Sequence, residues 1–570
     1  MCKKISIIIM AIVILSVAPV FGESQNFPDI KDFKIDISRN KNTDNYSEII
    51  GNKARLSIIL KDSAVGMEGN ISKSDDTPKW KIDISNVLEK HGCYIELNYG
   101  KVWQALVPLD SINKVRNLDF VERVEDISYP IVQAVFVNIE GVRYIKAGNP
   151  GSCDIAVIDL QFENWNVNEI VSPYVVETKD FTGTGFTNPG EGSHGVACAE
   201  IIVATLPGVK LHLYKVYTPA QLEAAVIWAK QNNVRIISHS VGWFNYSFYD
   251  GTGTINEIAN RAVDSGIVWV NSAGNSAKNH YYGVGFTDID GDGLMEFPSG
   301  AEYLPVYLYE GQSYSFYMNW NNYANTIGKD LDLYLVLLGD GTVSSSINDQ
   351  QSGAFLSPTE KISYTPLVSG WYGIAIDNWT YSATGNYFIP LGIHIFSTSA
   401  EIGNFTGLPN DRVSAMSLTD PATAEKVITV GATYWNPSSY GLEDFSSRGP
   451  TSDGRQKPDV IGPDGTSSLV YGFSSGNRNL DRNLGRSFFG TSASAPYVAG
   501  VAGYILSRHP GYSPSMVKRG ITMGATSLGY SKYEQGWGLV NGIGGESTVR
   551  LKAMPQILKI LEKNKEKKNN

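Results

Sequence analysis

Gly490-Thr491-Ser492-Ala493-Ser494-Ala495-Pro496-Tyr497-Val498-Ala499-Gly500 is the stretch on which the reading of this chain turns. A serine stands between tight-turn residues and a run of small apolar residues that predicts a buried helix. That placement sets a hydroxyl at a helix N-terminus, where unpaired backbone N–H groups and the helix dipole favour developing negative charge. Such a position suits a nucleophile that must stabilise an oxyanion beside itself. Pro496 is expected in the first helical turn, where its missing N–H costs little. Gly500 and Gly503 weaken a helix on their own account, so close packing is expected at both. A Gly-Thr-Ser turn alone also reads as an ordinary helix cap; the whole string is more specific.

Outward from this string, from Cys153 on, apolar runs alternate with amphipathic helices. Strands are predicted at Ile155–Ile158, Leu211–Val216, Val234–Ser238, Ile267–Asn271 and Val427–Ala432. Near-continuous apolar runs of this length suit a parallel sheet buried on both faces. Thr218-Pro219-Ala220-Gln221 combines a cap, a first-turn proline and a capping-box partner. Thr254-Ile255-Asn256-Glu257 reads as a second capping box. The fold class is therefore α/β, a doubly wound and mainly parallel sheet.

The alternation stops near Asn279 and resumes near Ala422. The stretch between is rich in Tyr and Trp, with strands expected at Tyr314–Trp320, Leu331–Leu337, Lys361–Tyr364, Trp371–Ile376 and Leu391–Phe396. It reads as an inserted all-β sandwich over 297–405. Its aromatics are sandwich core or a carbohydrate-binding surface. A smaller α/β pattern runs from Lys53 to about Ile127. It has strands at Leu56–Leu60, Tyr94–Leu97, Val102–Val107 and Val121–Val124, and helices at Ile82–Lys90 and Leu109–Leu118.

At 570 residues the chain is expected to hold two to four domains. Its net charge of −10 argues against a nucleic-acid partner. Lys3 and Lys4 ahead of the apolar run Ile5–Val17, with Val20-Phe21-Gly22 after it, read as a signal peptide, an uncleaved anchor being the alternative. No stable membrane insertion is expected after cleavage, and the mature chain is expected to be secreted. Loss of Cys2 with the signal leaves Cys93, Cys153 and Cys198, which is no disulfide framework.

Three strings in chain order carry a family resemblance. Asp159 closes Ile155-Ala156-Val157-Ile158-Asp159. His194 lies in Ser193-His194-Gly195-Val196-Ala197-Cys198. The serine string of residues 490–500 follows. Together with Phe445-Ser446-Ser447-Arg448-Gly449-Pro450, they resemble the subtilisin-like serine proteases, the subtilases, over about 150–280 and 420–545. The resemblance implies a serine endopeptidase with Ser492 as nucleophile, His194 as base and Asp159 orienting it. Asn275, after Ala273-Gly274, matches the family's oxyanion donor. Ser240-Val241-Gly242 with Ala273 and Gly274 matches its substrate-binding segments, where a protein or peptide substrate pairs as an added strand. No acidic residue in these segments predicts a pocket for basic side chains. Trp243 beside them walls a subsite or packs in the core. Gln161 replaces a usual glycine and Val196 a usual threonine, which bears on loop shape and on full activity. The N-terminal α/β unit resembles the family's propeptide, a folding template and intramolecular inhibitor cleaved between about Ile127 and Asn149.

The expected organisation is a signal peptide (1–22), a polar linker (23–50), a propeptide (51–130), a catalytic domain (131–296 and 406–548), the inserted sandwich (297–405) and a basic tail (549–570). Asp288, Asp290, Asp292 and Glu296 place alternating carboxylates ahead of a glycine turn, a spacing that wraps Ca²⁺ or forms a solvated acidic turn. It departs from an EF-hand loop at its twelfth position, Ser299. No organic or redox cofactor is expected. Cys198, one helical turn from His194, is a thiol near the site or a small buried hydrophobe. The alternative for the whole chain is a surface protein that binds polymers or glycans with weak or lost protease activity.

Overall fold

The predicted apolar runs become a seven-stranded sheet, parallel at every pairing. In chain order its strands are β1 (Asp154–Asp159), β2 (Val175–Asp180), β3 (Lys210–Lys215), β4 (Ile236–His239), β5 (Val268–Ser272), β6 (Ile428–Tyr434) and β7 (Val460–Asp464). Their order across the sheet is β7-β6-β5-β4-β1-β3-β2. This computed structural model describes residues 48–541 except 66–83, 133–151, 324–328, 351–356, 380–387, 404–407, 437–440, 473, 475–476 and 484–486. The expected signal peptide, nearly all of the linker, most of the expected cleavage region and the basic tail lie outside the described residues.

Alternation along β1 sorts the helices into two layers. Ile155 and Val157 join a core with α1 (His194–Thr205), α4 (Thr491–Arg508) and α5 (Pro514–Gly524). Ala156 and Ile158 face the other way, onto α2 (Pro219–Gln231) and α3 (Thr254–Asp264). From β1 the chain runs to the edge strand β2 and returns to fill β3, then crosses β1 to β4 and winds outward through β5, β6 and β7. The crevice at the carboxyl ends of the neighbouring β1 and β4 is where open α/β sheets hold their sites.

Several local expectations needed correction. Strands β2 and β7 were not predicted: β2 is an edge strand whose residues alternate between exposed and half-buried, and β7 contains Gly462 and Pro463. The Thr218 capping box is present, but Gly253, not Thr254, caps α3. Thr254 donates its hydroxyl hydrogen to Glu125 Oε2 at 2.5 Å instead. Helix α4 begins at Thr491, so Pro496 sits inside the helix rather than in its first turn. Close packing does account for the α4 glycines: a Cβ on Gly500 would lie 2.6 Å from Thr205 Cβ, and one on Gly503 2.6 Å from Leu206 Cδ2.

Residues 48–132 form an antiparallel sheet of Ile49–Ile50, Lys53–Leu60, Val102–Pro108 and Tyr94–Tyr99, with Val121–Asp126 on the free edge of Lys53–Leu60. Helix Ile84–Lys90 and a split helix, Leu109–Ser111 then Ile112–Arg116, close its core. Between β5 and β6 lie two four-stranded antiparallel sheets. One runs His280–Thr287, Phe388–Ser397, Tyr314–Trp320, Thr359–Tyr364; the other runs Leu304–Leu308, Gly370–Asp377, Asp332–Leu337, Gly341–Ser346. They share one core, in which Tyr281, Phe286, Phe316, Trp320 and Tyr372 are buried, so these aromatics are core. The pairing starts at His280, upstream of the expected 297, because His280–Thr287 was not predicted as a strand. No helix among the described residues is long and apolar enough to cross a membrane.

Candidate active site

Asp159 is the last residue of β1 and His194 the first of α1, and both are fully buried. His194 Nδ1 lies 2.8 Å from Asp159 Oδ2. The other carboxylate oxygen accepts the N–H groups of Leu160 at 2.7 Å and Gln161 at 3.4 Å, which locks the group as an acceptor. Gln161 ties the turn to the helix through its carbonyl, which accepts the Gly195 N–H at 2.9 Å. An edge-on contact with Phe488, ring centroids 5.6 Å apart, holds the imidazole from another side. His194 Nε2 is buried with no hydrogen-bond partner among the described residues.

Ser492 lies in the first turn of α4, and its hydroxyl donates to Ser240 O at 3.0 Å. Pro496 has no N–H to offer the carbonyl four residues back, which is that of Ser492. That orphaned oxygen accepts instead from Ser240 Oγ at 3.1 Å and Cys198 Sγ at 3.5 Å. Burial pushes the Cys198 thiol well above its usual range, so it stays protonated as a donor. His239, at the end of β4, donates from Nδ1 to Ile158 O at 2.8 Å and accepts the Trp243 indole N–H at 3.1 Å. Burial pushes it down to about 4, so it remains neutral. Trp243 is wholly buried and belongs to the core.

Asn275 follows β5 on a turn that needs Gly274: φ there is +108°, and a Cβ would meet Ser447 Oγ at 2.8 Å. Asn275 Oδ1 accepts from Thr491 N at 3.0 Å and Thr491 Oγ1 at 2.9 Å. This fixes the amide with Nδ2 as its hydrogen-bearing end. The Phe445–Pro450 string braces the same turn. Ser447 N–H donates to Gly274 O at 2.9 Å, and Ser447 Oγ accepts the Ser276 N–H at 2.9 Å.

Ser240, Val241 and Gly242 run on from β4 beside Ser492. Val241 and Gly242 pair antiparallel with Val132 and Ile131. A segment leaving the N-terminal unit thus occupies the strand position that sequence reasoning assigned to substrate. Ala273 is held to β6 by its N–H on Val430 O at 2.9 Å. Sequence reasoning missed Phe488 and the Ile131–Val132 pairing, since neither stands in a recognisable string.

The Subtilase family model matches residues 155–302 and 343–538, more than half of the chain. The chain belongs to the subtilase family. Its match breaks across 303–342, within the antiparallel sheets between β5 and β6. Serine protease AprX of Bacillus subtilis (strain 168) is 35% identical over 121 residues, 19% of this chain and 27% of that protein. Pyrolysin of Pyrococcus furiosus is 24% identical over a 683-residue alignment, 95% of this chain and 46% of that protein. The chain therefore spans less than half the length of these curated relatives. Among solved structures, the CspB protease of Clostridium perfringens superposes with a TM-score of 0.47 at 16% identity, over 70% of this chain and 94% of that one.

In this subtilase the acidic loop after His280–Thr287 gathers its carboxylates. One oxygen each from Asp288, Asp290 and Glu296 lie within 4.8 Å of one another, and so do those of Asp290, Asp292 and Glu302. Asp288 Oδ1 and Oδ2 accept the N–H groups of Gly291 at 2.7 Å and Gly293 at 3.0 Å. Both oxygens of Glu296 accept the Ile289 N–H at 2.9 Å. Glu302 was not predicted, because it lies past the glycine turn. Burial, then the surrounding carboxylates, push its carboxyl up to about 7. Ser299, the twelfth position, points elsewhere: its hydroxyl donates to Asp411 Oδ2 at 2.6 Å. The donor set is oxygen only and anionic, which fits a hard cation.

Proposed function

We propose that this chain is a secreted serine endopeptidase, made as a proenzyme and exported by its N-terminal signal. The observation that carries the reading is the 2.8 Å contact of His194 Nδ1 with Asp159 Oδ2 beside the helix start that bears Ser492. Asp159 holds the Nδ1–H tautomer, which leaves Nε2 as the base. A rotation about the Ser492 Cα–Cβ bond redirects its hydroxyl from Ser240 O to Nε2. The Ser492 oxygen then attacks the scissile carbonyl while its proton passes to Nε2. Asn275 Nδ2 and the Ser492 N–H stabilise the oxyanion. The proton moves on to the leaving amine, and an acyl-enzyme ester remains. Water, deprotonated by the same nitrogen, hydrolyses it.

The substrate chain pairs with Ser240–Gly242, against Ala273 and Gly274. The N-terminal unit is the intramolecular inhibitor, and the pairing of Ile131–Val132 with Val241–Gly242 supports this. The antiparallel sheets between β5 and β6 are an inserted domain. The loop of Asp288, Asp290, Asp292, Glu296 and Glu302 holds a structural Ca²⁺, which screens the mutual repulsion of these carboxylates. Casein hydrolysis by the processed protein tests the reading against Ser492→Ala. The expected result is loss of about 10⁶ in kcat for the variant; equal rates refute it.

A further inference from the structure

The antiparallel sheets carry a second concentration of acid, inside them rather than on a loop. Asp330, Asp332, Glu360 and Asp377 are each at most 1% exposed. Strand register sets Asp332 opposite Asp377, so the two side chains stand on one face with Cβ atoms about 5 Å apart. The Gln350 N–H donates to Asp330 Oδ1 at 3.4 Å. Glu360 reaches in from the facing sheet and gathers donors. Its oxygens accept from Ser346 Oγ, from Asn348 N at 3.0 Å, from Asn348 Nδ2 at 2.8 Å and from Gln350 Nε2 at 2.9 Å.

The consequence falls on the other end of each amide. Asn348 and Gln350 turn their nitrogens to Glu360. Asn348 Oδ1 and Gln350 Oε1 are then buried without a hydrogen-bond donor among the described residues. Asn348 is 8% exposed and Gln350 1%. Flipping either amide would set its oxygen against the Glu360 carboxylate. A buried oxygen without a donor loses its hydration and gains nothing in return. Orphaned amide oxygens beside buried carboxylates call for a positive charge.

We propose that this cluster is a second, buried calcium site. Asp330, Asp332 and Asp377 supply carboxylate oxygens, Asn348 Oδ1 and Gln350 Oε1 supply amide oxygens, and Glu360 is the positioning residue that orients both amides. Ca²⁺ takes six to eight oxygens in flexible geometry and accepts mixed carboxylate and amide ligands, whereas Mg²⁺ demands a tighter octahedron. Among the described residues, no three of these carboxylates have oxygens within 4.8 Å of one another, unlike those of the 288–302 loop; in the proposed site the two amide oxygens are the further ligands. The two sites share no residue. An ion here ties the Asp332–Leu337 and Gly370–Asp377 strands to the Ser346–Gln350 segment and, through Glu360, to the facing sheet.

Calcium calorimetry on the full-length Ser492→Ala chain, stripped with EDTA, tests the proposal without depending on activity. The loop variant Asp290→Asn is compared with the same chain also carrying Asp332→Asn and Asp377→Asn. The loop variant is expected to retain a calcium-binding step and a rise in thermal midpoint on adding calcium. Both are lost in the triple variant, whose affinity falls by at least the roughly 10–100-fold that loss of a supporting partner costs. Unchanged binding in the triple variant overturns the proposal. So does a triple variant that reaches the calcium-loaded midpoint without calcium, the mark of a protonated cluster relieved of repulsion. If the triple variant does not fold, the loop variant decides alone: no calcium bound overturns the site, and a retained step with a calcium-raised midpoint supports it.

Discussion

At Ser492, a proline four residues on decides what the carbonyl meets. The gap left by Pro496 is filled by Ser240 Oγ and Cys198 Sγ, so the Ser492 carbonyl is anchored from β4 and α1 rather than from its helix. The places of Asp159, His194, Asn275 and Ser492 in the fold were legible because each stands in a short string at a strand end or helix start. The hydroxyl's bond to Ser240 O was not, since it depends on a rotamer that sequence does not specify. Nor was the neutrality of His239, which follows chiefly from burial. Asn275→Ala should lower kcat by about 10²–10³ with KM little changed, since the lost donor acts on the oxyanion rather than on bound substrate. Steady-state kinetics on the processed variant checks this; an unchanged kcat would remove Asn275 from the oxyanion site.

At the scale of elements, the N-terminal unit meets the starts of both outer helices. Thr218, the cap of α2, donates its hydroxyl hydrogen to Gln104 Oε1 at 2.7 Å. Arg123 reaches Glu257 Oε2 in α3 at 3.0 Å. Because Ile131 and Val132 are already paired along Val241–Gly242, the processed bond is expected C-terminal to Val132, on the far side of the paired strand. Mass spectrometry of the mature N-terminus checks this: a start at or before Val132 contradicts it, and Ser492→Ala should accumulate the unprocessed chain. Apolar strands such as β1 and β5 were legible because burial on both faces leaves continuous apolar runs. Strand β2 was not, since its Val-Val-Glu-Thr-Lys-Asp sequence is that of an exposed edge. His280–Thr287 was hidden by its two glycines and by the acidic loop that follows.

Across the whole molecule, a chain of neutral histidines joins the β5–β6 sheets to the parallel-sheet core. Ser452 Oγ lies 2.9 Å from His394 Nε2, His394 Nδ1 lies 2.9 Å from His280 Nε2, and His280 Nδ1 lies 2.7 Å from Val413 O. The carbonyl fixes His280 with its proton on Nδ1, so each link has one hydrogen and no room for another. Burial pushes His280 down to about 3, and burial with His280 beside it holds His394 well below its usual range. The unfolded chain takes up these protons below about 6.5 while the folded one does not. Stability is therefore complete above that pH and falls as pH drops toward 3, by up to about 1.4 kcal/mol per pH unit for each histidine. Thermal midpoints of the wild type and His280→Asn between pH 8 and 4 check this: the wild type should fall more steeply, and parallel slopes would refute it. The same junction is covered by rings. Phe244 and Tyr249 from the core pack on Tyr317 and Phe396, while Ser397 N–H donates to Asn279 O at 2.9 Å where the chain enters and leaves these sheets. Adjacent ends make residues 280–397 look like a cassette that a short linker could replace. The rings say otherwise: excision would leave a greasy scar on the parallel-sheet core, so any shortened version must bring its own cover or it will stick to its neighbours.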